Sequence, residues 1–155
     1  MRLVKHQPID VEWTRGSEFE AHRAGGPKIR IDGDARTAPS PFDVLLASLA
    51  TCSAIDVVSI LQKQRTPVKA LRILIEAQRV DATPRRLASA VLHFAITAPG
   101  TTAAKAARAV ELSVTRYCSV RSSLLAEVPV TWTIDLEPGK VKPGPGAAGN
   151  LTSGI

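Results

Sequence analysis

The run Ser40-Pro41-Phe42-Asp43-Val44-Leu45-Leu46-Ala47-Ser48-Leu49-Ala50-Thr51-Cys52-Ser53-Ala54-Ile55-Asp56-Val57-Val58-Ser59-Ile60-Leu61 decides how the rest of this 155-residue chain is read. Ser40, Pro41 and Asp43 together form a helix start: a cap residue, a proline at the first helical position and an acid in the first turn. The helix is expected to end near Gln64-Arg65, where basic residues gather ahead of Pro67. Its length approaches the ~20 residues of a membrane span. Asp43 and Asp56 interrupt it, however, and Ser48, Thr51, Ser53 and Ser59 dilute it, so it is read as a helix buried in protein with no membrane partner. A helix apolar on nearly every side must be covered on nearly every side. A chain this short has limited material to do so alone, which gives a physical reason to expect a dimer.

Working outward, Val11-Glu12-Trp13-Thr14 and Glu18-Phe19-Glu20-Ala21-His22 alternate like strands around the turn Arg15-Gly16-Ser17. Gly25-Gly26-Pro27 turns the chain into a third short strand, Lys28 to Asp32. Beyond the long helix, Leu71 to Arg79 and Ala90 to Ala98 are candidate strands joined by a turn at Asp81-Ala82-Thr83-Pro84. Thr101 or Thr102 caps a second helix running to about Tyr117, with Ala103, Ala106, Val110, Val114 and Tyr117 on one stripe. A short helical piece follows over Ser119 to Ala126, then a closing strand from Pro129 to Leu136. The tail, residues 138–155, is rich in Pro and Gly and is expected to be flexible. The pattern is α+β, with residues 1–137 as a single domain whose two helices pack on one antiparallel sheet.

The formal charge of +6 could suggest nucleic acid, but the Lys and Arg residues are scattered and aromatics make up only 4% of the chain. The expectation is a solvated basic surface and no nucleic-acid partner. Met1 to Pro8 lacks the apolar stretch of a secretory signal, so a cytoplasmic setting is expected. There a structural disulfide is disfavoured, leaving the two cysteines free, metal-binding or redox-active. Metal is the weakest of these and is not expected, since the chain has no CxxC and His6, His22 and His93 fall outside recognisable ligand spacings.

Cys52, in the middle of the apolar run, is either a small core residue or a nucleophile kept from bulk water. Asp56, four residues on, shares its helix face. Acting alone, that carboxylate would raise the thiol pKa, so a reactive Cys52 needs a guanidinium nearby. Cys118 closes the second helix between Arg116 and Arg121, which either face solvent or lower its pKa.

The Ser40 to Leu61 run, with Arg116-Tyr117-Cys118-Ser119-Val120 downstream, resembles the osmotically induced protein and organic hydroperoxide resistance (OsmC/Ohr) superfamily. It is most similar to the branch carrying a CxAIDVVxIL helix and a YCSV second cysteine, over roughly residues 11 to 136. The resemblance implies an intertwined homodimer of antiparallel sheets with two central helices. It also implies a thiol peroxidase for organic hydroperoxides, with Cys52 peroxidatic and Cys118 resolving through a disulfide. The reductant implied is a dithiol, lipoyl-linked in type, and no metal or organic cofactor is implied. An Arg from the N-terminal strands and a carboxylate at the start of the long helix complete the family's site. Here Phe42 takes the usual Glu position, and Asp43, nine residues before Cys52 at about 100° each, falls nearly opposite it. Asp56 is the better-placed carboxylate, and Arg15 the Arg most similar in location, with Arg23, Arg30 and Arg36 as competitors. An apolar wall of Leu49, Val57, Val58 and Phe42 would favour an alkyl peroxide. The departure at Phe42 motivates the alternative, a non-catalytic apolar-ligand binder or redox sensor of the same fold.

Overall fold

A computed structural model describes residues 1–137, and the tail expected to be flexible lies outside the described residues. The described chain falls into two compact units that divide between Ala47 and Ser48.

The first unit is an antiparallel meander of β1 (Asp10–Arg15), β2 (Glu18–His22) and β3 (Ile29–Asp32), in the order β1-β2-β3. The β1–β2 turn needs a positive φ, +49° at Gly16, a conformation glycine adopts without a Cβ penalty. Its carbonyl accepts the Trp13 indole N–H at 2.9 Å. Register pairs Val11 with Ala21 and Trp13 with Phe19, so these apolar side chains share one face of the sheet. That face is open in the single chain, where Trp13 is 66% exposed.

Buried Asp32 organises the loop after β3. Its Oδ1 accepts Ser17 Oγ at 2.8 Å and the Asp34 N–H at 2.9 Å, while Oδ2 accepts the N–H groups of Arg36 and Thr37 at 2.9 and 3.0 Å. Backbone N–H groups that would otherwise be orphaned in a turn are thereby satisfied. These bonds, led by those from the Asp34 and Thr37 N–H groups and the Ser17 hydroxyl, hold the carboxyl far below the usual carboxylate range.

Helix α1 (Pro41–Lys63) starts where the sequence says it should. Asp43 Oδ2 accepts the Ser40 N–H at 2.8 Å and the Ser40 hydroxyl at 2.7 Å, and Ser40 Oγ accepts the Asp43 N–H at 3.2 Å. This is a reciprocal cap, and it assigns Asp43 to the helix start. The buried side chains of α1 are Leu49, Ala50, Ser53, Val57 and Leu61, four of them a stripe at intervals of four. The expectation of a helix covered all round fails for the single chain, since Ile55 is 69% exposed.

The second unit holds β4 (Ala70–Arg79), β5 (Leu87–Thr97) and β6 (Val130–Leu136), ordered β4-β5-β6. Leu71, Ile73 and Ile75 oppose Ile96, Phe94 and Leu92, which in turn oppose Leu136, Ile134 and Trp132, forming one apolar face. β4 and β5 are antiparallel, but β6 runs parallel to β5. This corrects the expectation of a single antiparallel sheet. There are two separate sheets, the second mixed, because residues 98–129 form a helical crossover long enough to return the chain in the same direction.

That crossover is α2 (Ala103–Leu112), a π-helical turn (Ser113–Tyr117) and α3 (Ser119–Ser122). Thr102 is the cap, its hydroxyl accepting the Lys105 N–H at 3.3 Å, and α2 packs on β6. The α-helix expected to run to Tyr117 ends five residues earlier. From there the Cys118 N–H donates to the Ser113 carbonyl at 2.9 Å, five residues back. The wide turn breaks the 3.6-residue stripe: Ala106, Val110 and Val114 are buried, while Tyr117 faces outward.

Candidate active site

The π turn delivers Cys118 to the inner side of α1. Ser113, fully buried, donates its hydroxyl to the Ser53 carbonyl at 2.6 Å, and Cys118 Sγ lies 3.9 Å from the Leu49 carbonyl oxygen. Ser53 donates to the same carbonyl at 3.1 Å. Two short side chains of the crossover, Ser113 and Cys118, thus seat it against one turn of α1, where Ser53 satisfies its hydroxyl within the helix itself.

Cys52 lies on that turn of α1, half-buried, and Cys118 is buried to 1% exposure. Both are free thiols, and they are close enough for the Cys118 thiol to hydrogen-bond Cys52. Ser119 Oγ lies 3.8 Å from Cys52 Sγ. Burial works against the Cys52 thiolate. Hydrogen bonds from the Val120 N–H, the Cys118 thiol, and the hydroxyl and N–H of Ser119 outweigh it, so Cys52 is more acidic than an ordinary thiol.

Cys118 is shifted the other way. Burial pushes its pKa up, and the hydrogen bond and negative charge of Cys52 add to that, against the Arg121 N–H and the Ser53 hydroxyl. Its Sγ accepts the Arg121 N–H at 3.3 Å and caps α3. The pair therefore divides into an accessible, acidified sulfur and a sheltered, protonated one. This is the arrangement in which the first can attack an electrophile and the second can follow.

The other expected site residues sit as follows. Asp56 is half-buried on α1, with no side-chain hydrogen bond or ion pair among the described residues. Arg15 ends β1 in the first unit, exposed, its Nε 3.2 Å from Glu18 Oε2. Arg30 pairs with the same carboxylate at 3.6 Å. Arg121 turns its guanidinium to the Val128 carbonyl at 2.9 Å. The groups that acidify Cys52 are thus two amides, a hydroxyl and a thiol, whereas sequence reasoning looked for a guanidinium. Of the expected apolar wall, Leu49 and Val57 are wholly buried core side chains, Phe42 is half-buried and Val58 is open.

Sequence reasoning missed Ser119 and Ser113. The only available signal was their spacing around Cys118, and the side chains meet α1 only once the π turn sets the phase. It also missed the approach of Asp10, Glu12 and His22, whose ligand-type atoms lie within 4.8 Å of one another across β1 and β2. There Lys28 Nζ holds Glu12 at 3.0 Å and Glu20 at 2.8 Å.

Residues 32–133 match the family described as OsmC-like protein. Protein YhfA of Escherichia coli K12 is 39% identical over 127 residues, 81% of this chain and 95% of that protein. The OsmC-like protein from Mycoplasma pneumoniae superposes with a TM-score of 0.74 at 17% identity, covering 86% of this chain and 99% of that one. The organic hydroperoxide resistance protein OsmC of Legionella pneumophila does so with a TM-score of 0.62 at 13% identity, covering 86% and 98%. The last two show a shared fold.

Proposed function

This chain belongs to the OsmC-like protein family, and on that premise we propose that it is a cysteine-based peroxidase for organic hydroperoxides, with Cys52 attacking and Cys118 resolving. One observation carries the reading: the accessible thiol is acidified by donors from the segment that brings the second thiol beside it.

The chemistry runs in three steps. The Cys52 thiolate attacks the terminal oxygen of the hydroperoxide, and the O–O bond breaks. The alkoxide leaves, taking up a proton to become the alcohol, and Cys52 becomes a sulfenic acid. Cys118, as its thiolate, then attacks the Cys52 sulfur, the hydroxyl leaves as water with a proton, and a Cys52–Cys118 disulfide forms. An external dithiol, lipoyl-linked by resemblance, reduces that disulfide by exchange and is itself oxidised to a disulfide. No metal or organic cofactor enters.

In this reading Arg15 and Asp56 assist. Arg15, exposed and paired with Glu18, is the guanidinium assigned to the thiolate, and Asp56 serves as an orienting carboxylate. The working form is a homodimer in which a second copy covers the exposed apolar side chains Val11, Trp13 and Ile29 of the first unit and Ile55 of the second. Free thiols suit a reducing, cytoplasmic setting.

The test is consumption of cumene hydroperoxide with a dithiol supplied. The parent turns over, Cys52→Ser does not, and Cys118→Ser stalls at the sulfenic acid. Equal consumption by Cys52→Ser and the parent overturns the reading. Phe42 at the family's Glu position favours the second reading, a redox sensor or apolar-ligand binder. It predicts a single stoichiometric oxidation of Cys52 with no cycling.

A further inference from the structure

We propose that Ser119 is a catalytic residue of the thiol site: its hydroxyl donates to Cys52 Sγ and holds that sulfur as the thiolate, a role for which a cation was expected. The proposal rests on the reading that Cys52 is the attacking sulfur.

The geometry is local and one-sided. Ser119 Oγ has Cys52 Sγ as its partner at 3.8 Å, a contact across 67 positions of sequence. A thiolate has no proton to give, so with Cys52 ionised the hydroxyl must be the donor. Hydrogen bonds to a charged acceptor are roughly twice as strong as neutral ones, so the bond strengthens when the proton leaves Cys52 and thereby favours the anion.

Ser119 is also held in place. Its backbone carbonyl accepts the Ser123 hydroxyl at 2.8 Å, and the preceding residue, Cys118, is fixed by its own bonds to Leu49 and Arg121. The backbone N–H groups of Ser119 and Val120 point to the same sulfur. The nearest cationic side chain along the chain, Arg121, is engaged with Val128. Ser119 is therefore the one side chain other than the partner cysteine that donates to Cys52 among the described residues.

The test measures acidity separately from turnover. The full chain, kept reduced, is alkylated with iodoacetamide across pH 5–10, and labelling of Cys52 is followed at its own peptide by mass spectrometry. Ser119→Ala is expected to move the midpoint upward and to slow alkylation at pH 7 by roughly three- to tenfold. Ser119→Thr, which keeps the hydroxyl, is expected to restore the parent profile. Ser122→Ala, an exposed change in the same short helix that leaves the Ser119 hydroxyl and its supports intact, should leave the midpoint unchanged. A Ser119→Ala profile superimposed on the parent, or an equal shift in Ser122→Ala, overturns the proposal. A shifted midpoint in a protein that consumes no peroxide overturns the peroxidase reading and leaves the role of Ser119 standing.

Discussion

Cys118 Sγ accepts the backbone N–H of Arg121 at 3.3 Å, so the sulfur expected to resolve the reaction also caps the short helix whose first amides and hydroxyl address Cys52. Redox state and local structure are therefore coupled. Disulfide formation must turn Cys118 Sγ toward Cys52 and away from Arg121. Hydrogen exchange at the amides of residues 121–123 is expected to be faster in the oxidised protein than in the reduced one. Equal exchange in the two forms would falsify the coupling.

The same cap predicts a split between two substitutions. Cys118→Ser keeps an acceptor at the cap and should stay close to parent stability. Cys118→Ala loses the cap, a change that typically costs about 1 kcal/mol. Urea denaturation of the reduced forms distinguishes the two.

The two thiols should also differ in reactivity with pH. An ordinary cysteine titrates near about 8.5. Cys52 is expected to label with a midpoint below that value and Cys118 above it, so at pH 7 Cys52 should react at least about tenfold faster. Peptide-resolved alkylation of the reduced protein reads both midpoints, and a reversed order would remove the assignment of roles.

In the first unit, Asp32→Asn should lower the melting temperature and loosen the segment 33–37, because an amide cannot accept all the N–H bonds the carboxylate holds. The sign with pH follows from the depressed pKa of Asp32. The stabilisation is fully present above the unfolded carboxyl value of about 3.9 and is lost as pH falls toward the lower folded value. Thermal melts below pH 4 should therefore show a smaller difference between parent and variant than melts at pH 7.

Ser113→Ala removes the buried 2.6 Å bond to the Ser53 carbonyl and should destabilise by about 1 kcal/mol. It should also reduce the efficiency of the Cys52–Cys118 disulfide, measured as the fraction oxidised by one equivalent of hydroperoxide, because that bond ties the π turn to α1.

How much of this the sequence disclosed depended on range. Ser40, Pro41, Asp43 and Pro67 bracket α1 with local signals, and the start came out to the residue. The meander was legible from period-two alternation around Gly16 and Gly25-Gly26. Strand direction was not, since Val130 to Leu136 reads the same whichever way its partner runs, and only the length of the crossover hinted at a parallel return. Cys52 and Cys118 stood out because they are the chain's two thiols. What acidifies Cys52 was hidden, because Ser119 reaches it only through the phase of the π turn, and no residue from Ser113 to Tyr117 announces a five-residue hydrogen bond.

The wide turn at 113–117 amounts to a spacer in the screw of the second helix. Each residue added to or taken from an α-helix rotates everything downstream by about 100° and advances it about 1.5 Å. Were residues 113–117 to wind on as a regular α-helix instead, the downstream thiol and its neighbouring hydroxyl would be turned by roughly 100° and carried away from α1. The chain would keep every chemically reactive group it has now and lose their convergence. In this fold the partnership of the two sulfurs is a matter of angular offset, set by a single extra position in the helix.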